Sequence, residues 1–254
     1  MTRSRTGPIT REAGARRPRP VPRGWWFDVL LVAGFVAITV ALVRFPALNR
    51  WDLTVRDWVD GHRPPPVRWL VLICDLVGQG GPVMTVTLGV GFVLAWRYRT
   101  IRPILPAGLA PILTTASIVP LKRWTERGAP HYGPVELFSG PGYVEYPSGH
   151  VNNAFVYFAT LALLLAPFLP VAARRILQWA PPFLVAFGTT YIAYHWFSDA
   201  VAGFLLGWFL SRVQLRIPWE RIPLPARFDH AAQRASARPP ADRADAVRAG
   251  EDRQ

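Results

Sequence analysis

Residues 148–169 read Ser-Gly-His-Val-Asn-Asn-Ala-Phe-Val-Tyr-Phe-Ala-Thr-Leu-Ala-Leu-Leu-Leu-Ala-Pro-Phe-Leu. Past His150 no charged residue occurs until Arg174. A helix needs roughly 20 apolar residues to cross about 30 Å of hydrocarbon. This run meets that length, and it opens right after Pro147 on a serine, the residue type that begins helices. The reading is a membrane helix with a polar, histidine-bearing mouth.

Five further apolar segments lie on either side. They are Trp25–Val43, Gly81–Trp96 with a separate short helix at Val67–Val77 before it, Pro103–Pro120, Ile176–Tyr194 and Asp199–Val213. Prolines inside the third and fifth of the six are tolerated in membranes, where neighbouring helices repair the freed carbonyls. The predicted fold is therefore all-α: an integral membrane six-helix bundle over residues 25–216, with disordered tails at 1–24 and 217–254. The first tail is rich in Arg, Pro and Gly, the second in Ala, Arg, Asp and Pro, and both are poor in large apolar residues, a composition that cannot bury a core. Residues Phe45–Val59 mix tryptophan and leucine with Arg and Asp. They fit an amphipathic helix in the membrane interface and an ordinary loop helix equally well.

The formal net charge is +13 and the mean hydropathy only +0.18, because polar residues gather at the ends. With apolar runs of this kind, the charge points to an anionic membrane surface or substrate and not to nucleic acid. Cys74 is the only cysteine, so no intrachain disulfide and no cysteine zinc site can form. The first apolar run lacks a small-residue cleavage pattern, and no cleaved signal peptide is expected. Six spans place both tails on one side with Arg97, Arg99, Arg102, Arg174 and Arg175, which the positive-inside rule makes cytoplasmic. The expected location is the plasma membrane, multi-pass. The opposite loops also hold arginines, among them Arg44, Arg50 and Arg56.

Three polar stretches fall on the predicted outer face: Lys122 to His131, Tyr146 to His150, and Tyr194 to Asp199. A helix N-terminus at Ser148-Gly149-His150 offers unpaired N–H groups and partial positive charge, which suits a phosphate. His195 and Asp199 are four apart and share a helix face, so the carboxylate can hold one imidazole nitrogen protonated and leave the other free. Lys122 and Arg127 supply cations for a transferring phosphoryl group. Each has a plainer reading: interfacial charges ending a span, a helix cap beside a chance histidine, a structural ion pair. The joint placement of His131, His150 and His195, three of five histidines, at the mouths of spans favours a site. His62 and His230 have no such company and read as surface residues.

This set resembles the type 2 phosphatidic acid phosphatase superfamily, which includes lipid phosphate phosphatases, undecaprenyl pyrophosphate phosphatases and vanadium haloperoxidases. Its pattern is K-x6-R-P, then P-S-G-H, then S-R-x5-H-x3-D. Lys122 and Pro130, Pro147 to His150, and His195 with Asp199 match it. The resemblance implies that His195 attacks phosphorus to form a phosphohistidine, Asp199 orients it, His150 protonates the leaving oxygen, and Lys122, Ser148 and Gly149 bind phosphate oxygens. Two positions depart. Ala129 and Thr189 stand where the family has arginine, and Gly188 replaces the serine. Arg127 is the expected substitute, with His131, Thr189 and Thr190 as auxiliary groups.

The expectation is a membrane phosphatase acting on a lipid phosphate or polyprenyl (pyro)phosphate. It would use no metal and no cofactor. Its partners would be the lipid substrate and membrane lipids, with no nucleic acid and no evident obligate protein partner. The alternatives are a lipid phosphotransferase of the same fold and a non-catalytic binder of lipid head groups.

Overall fold

The computed structural model describes Pro22, residues 24–225 and Phe228. The expectations for the N-terminal tail and for His230 lie outside the described residues. Eight α-helices occur among these residues, and no strand: α1 Trp25–Arg44, α2 Pro46–Gly61, α3 Pro65–Gly78, α4 Gly80–Tyr98, α5 Ile104–Thr125, α6 Gly149–Leu164, α7 Val171–Tyr191 and α8 Phe197–Arg216. The segment that opens the predicted C-terminal tail forms a short 3-10 helix, Trp219–Arg221, with Trp219 buried. Arg102 donates to the carbonyls of Trp219, Glu220 and Ile222, which ties this segment to the start of α5.

The helix read first from the sequence is the centre of the bundle. Helices α3, α4, α5, α7 and α8 all pack against α6. Val151, Ala154, Phe155 and Val156 of α6 have no solvent exposure. An all-round apolar helix is explained by such a central place. The approach of α8 to α6 depends on Gly203, where a side chain would collide with the Ser148 carbonyl. Helix α1 lies outside, with Val29, Leu30, Val36 and Val40 exposed.

Three described helices are long and apolar enough to cross a membrane: α1, α5 and the helix Phe197–Arg221 containing α8. The pair α3–α4, bent by 52°, would make a fourth if it is one span. The six expected spans thus appear as eight helices of unequal character. Helix α6 has only 16 residues, and α7 carries Arg174, Arg175 and Gln178 in its first turns and Pro181-Pro182 at mid-length. Residues 46–61 form a helix of their own, α2. It exposes Trp51 and Trp58 and buries Asn49, Asp52 and Val59.

Candidate active site

The end of α5, the start of α6 and the start of α8 meet at one end of the bundle. Ser148 is the N-cap of α6 and accepts from the Val151 N–H at 3.5 Å. Its own N–H donates to the Asp199 carbonyl at 3.0 Å, fastening the α6 mouth to α8. Lys122, in the last turn of α5, passes beside Gly149: a Cβ there would lie 3.8 Å from Lys122 Cε. The three separated sequence motifs are therefore neighbours.

The two histidines face each other, with His150 Nδ1 3.2 Å from His195 Nε2. The other nitrogen of His195, Nδ1, stands 3.6 Å from Asp199 Oδ2 and 3.3 Å from Glu145 Oε2. Glu145 also lies 3.9 Å from the Lys122 ammonium. His195 is almost fully buried, whereas His150, Lys122 and Glu145 are partly open to solvent. Asp199 occupies the third position of α8, where its Oδ2 accepts from the Trp196 N–H at 3.2 Å as a capping carboxylate does. Its place is thus fixed by the helix start, one turn from His195.

Arg127, expected at the phosphate, is placed elsewhere. It has 0% exposure and sits behind Asp199. Its Nε donates to the Val135 carbonyl at 2.6 Å, one terminal nitrogen to Asp199 Oδ1 at 2.5 Å and Ser198 Oγ at 2.7 Å, and the other to Asp52 Oδ2 at 2.6 Å. Asp52 in turn accepts from the Ser198 backbone N–H and hydroxyl. Burial alone would lower the guanidinium, but the Asp199 and Asp52 carboxylates beside it hold it above its ordinary value. Burial pushes the Asp52 carboxyl up, against the pull of Arg127 and Ser198. The physical reason for the placement is local. Glu126 ends α5 in the left-handed region at φ 43°, turning the chain so that residue 127 points into the protein.

Of the auxiliary residues, His131 lies apart from the histidine pair, whereas the Thr189 carbonyl accepts from the His195 N–H at 3.3 Å and Thr190 lies beside His195. His131 is 3.5 Å from Asp60 of α2 and half exposed. Thr189 is buried, and its hydroxyl donates to the Val185 carbonyl at 2.9 Å. Thr190 Oγ1 is buried without a hydrogen-bond partner and lines a crevice with His195 and Asp52, on the Trp196 side. Three carboxylates not singled out from sequence belong to this neighbourhood: Asp52, Asp75 and Glu145. For Asp75 a signal existed, an acidic residue inside the apolar run Val71–Val77.

The PAP2 superfamily profile matches residues 82–223, more than half of the chain and all of the residues just described except Asp52, Asp60 and Asp75. The chain belongs to the PAP2 superfamily. Phosphatidylglycerophosphatase B of Bacillus subtilis is 30% identical over 92 residues, which cover 34% of this chain and 44% of that protein. The chain thus spans less than half the length of this curated relative. A crystal structure of a transmembrane PAP2-type phosphatidylglycerolphosphate phosphatase from Bacillus subtilis has the same fold, with a TM-score of 0.65. It is 22% identical, and the match covers 77% of this chain and 97% of that one. Family, fold and apolar helices together make this PAP2 protein a membrane protein of the phosphatase family.

Proposed function

We propose that this PAP2 protein hydrolyses a lipid phosphate through a phosphohistidine on His195. The observation that carries the reading is the row His150–His195–Asp199 at the mouth of α6, with Lys122 alongside. Asp199 and Glu145 face His195 Nδ1, so that nitrogen keeps the proton and Nε2 has the free lone pair. His195 Nε2 attacks phosphorus, the bond from phosphorus to the lipid oxygen breaks, and His150 gives that oxygen a proton. Water then attacks the phosphohistidine, His150 takes its proton, and inorganic phosphate leaves. The α6 N–H groups at Gly149 and His150, the Ser148 hydroxyl and Lys122 bind the phosphoryl oxygens. Asp52 and Arg127 support Asp199 from behind. Negative charge is met by these groups, and the reaction needs no metal.

The substrate class is a monoester or diphosphate on a lipid, and the name of the Bacillus relative puts phosphatidylglycerophosphate first among candidates. The proposal includes a multi-pass topology with both chain ends cytoplasmic and the site on the outer face of the plasma membrane. It is supported by the arginines at the opposite end of the bundle from the site. The test is phosphate release by protein purified in detergent. The panel is phosphatidylglycerophosphate, phosphatidic acid and an isoprenyl diphosphate, with His195→Ala as control. Equal release by wild type and His195→Ala, or none from any lipid, refutes the reading. Transfer of phosphate to an added alcohol in preference to water would identify the phosphotransferase instead.

A further inference from the structure

Asp75 is an acidic residue in an apolar stretch of α3, and nothing in helix packing requires it there. Its carboxylate is 2% exposed. One oxygen, Oδ2, accepts from Gln79 Nε2 at 3.2 Å. The other, Oδ1, has no hydrogen-bond partner and stands 3.6 Å from His150 Nε2. A bare buried carboxylate oxygen is costly. The nearby N–H of His150 is the group able to relieve that cost. The approach is built into the backbone, because a Cβ at Gly78 would come within 3.0 Å of His150 Cβ and 3.1 Å of the His150 carbonyl. Glycine at 78 lets α3 lie directly on the α6 mouth.

Four side chains then form a row: Asp75, His150, His195, Asp199. Each imidazole has a carboxylate behind it, and the two inner nitrogens face each other. We propose that Asp75 is the positioning residue of His150, keeping Nε2 protonated so that the imidazolium gives its Nδ1 proton to the leaving oxygen. This rests on the phosphohistidine reading above. A carboxylate at this place also stabilises the imidazolium that His150 must become before it can act as an acid. The other charged or titratable groups around His150 are His195 from the approach to α8, Lys122 from α5 and, beyond His195, Glu145 of the preceding loop. His195 and Lys122 oppose a second positive charge, so a counter-charge on the α3 side is needed for the acid to hold its proton.

The test separates a role through His150 from a role in folding. Wild type, Asp75→Asn, His150→Ala and the double variant are assayed on phosphatidic acid, whose leaving group needs a proton, and on p-nitrophenyl phosphate, whose leaving group does not. A general acid contributes about 10²–10⁴-fold. Asp75→Asn is expected to lower kcat on phosphatidic acid by roughly 10–100-fold, with KM little changed and a much smaller loss on the aryl ester. In the His150→Ala background it should cost nothing further. Asp75→Glu should recover part of the lost activity. An equal loss on both substrates, or a full additional loss in the double variant, overturns the proposal. A second measurement needs no variant: 15N shifts of the His150 ring in the full-length protein should report a protonated Nε2, in the neutral Nε2–H tautomer or in the imidazolium, and a neutral ring protonated only at Nδ1 would overturn it. If wild type releases no phosphate from any substrate, the phosphatase reading fails and this inference falls with it. If wild type is active and Asp75→Asn is unchanged, only this inference fails.

Discussion

Arg127 donates to Asp199 Oδ1 at 2.5 Å, while Asp199 Oδ2 stands 3.6 Å from His195 Nδ1. The carboxylate is thus held between a guanidinium and an imidazole, with Arg127 on the side away from His195. Asp52 of α2 takes another arm of the same guanidinium.

Removing Arg127 should therefore behave unlike removing a phosphate ligand. Arg127→Ala leaves Asp52 and Asp199 buried without their cation, a loss on the order of 3–5 kcal/mol. The expected outcome is a large drop in the thermal unfolding midpoint together with loss of activity. Lys122→Ala should keep the midpoint and raise KM, since Lys122 is partly exposed beside Gly149. Thermal unfolding in detergent alongside kcat/KM checks both. An Arg127→Ala protein of normal stability with only a raised KM would return Arg127 to the phosphate.

The two histidines should fail differently. His195→Ala abolishes turnover, because a nucleophile cannot be bypassed. His150→Ala should still form phosphoenzyme from a substrate with a good leaving group, with turnover reduced about 10²–10⁴-fold on poor ones. Acid-quenched labelling with a 32P substrate measures this. Acid-labile label on His195→Ala would place the nucleophile elsewhere.

The sequence carried the central helix, the neighbouring Lys122, His150, His195 and Asp199, and the apolar character of the chain. Those features are local: a serine before an apolar run, or a histidine and aspartate one turn apart. What stayed hidden is what pairs across the fold. Asp52 and Arg127 are separated by 75 positions, and no periodicity in α2 says that Asp52 turns inward. Arg127 lies two positions before Ala129, where the family has arginine, but the left-handed turn at Glu126 redirects the chain between it and Lys122. The number of helices was also hard to read. Apolar length alone does not separate a lipid-facing helix such as α1 from the shorter, buried α6.

Topology is open to a direct test. Tyr132 is 84% exposed on the loop after α5, at the site end of the bundle. Tyr132→Cys in a Cys74→Ser background should react with a membrane-impermeant thiol reagent on intact cells. Reaction only after lysis would put the site on the cytoplasmic face.

Chelator should leave activity unchanged. The proposed mechanism meets phosphate charge with Lys122 and helix N–H groups, and assigns no step to a metal ion. Phosphate release is compared before and after dialysis against EDTA, then with magnesium or zinc added back. Activity that is lost and then restored by a divalent ion would refute the metal-free mechanism.

Glu145 supplies the sharpest test of substrate charge. Its carboxylate lies 3.9 Å from the Lys122 ammonium and 3.3 Å from His195 Nδ1, so the free site holds an anion where phosphate charge is to be bound. An incoming phosphoryl group must compete with it for Lys122. Both charges are partly exposed, so solvent weakens their mutual attraction and phosphate can displace the carboxylate. The family arginine positions, Ala129 and Thr189, offer no replacement cation. Thr189 is fully buried with its hydroxyl on the Val185 carbonyl, so an arginine cannot be added there without disrupting packing. Glu145→Gln removes the repulsion and keeps the shape. It should strengthen inhibition by inorganic phosphate, and the gain should be larger for the dianion than for the monoanion. Turnover should fall as well, because His195 loses one of the two carboxylates facing Nδ1. The measurement is the inhibition constant for phosphate and kcat on phosphatidic acid, each as a function of pH. Between pH 6 and 8 inorganic phosphate passes from mostly monoanion to mostly dianion, so the gain over wild type should grow across that range. Unchanged or weakened phosphate inhibition in Glu145→Gln would show that Glu145 does not contend with substrate for Lys122.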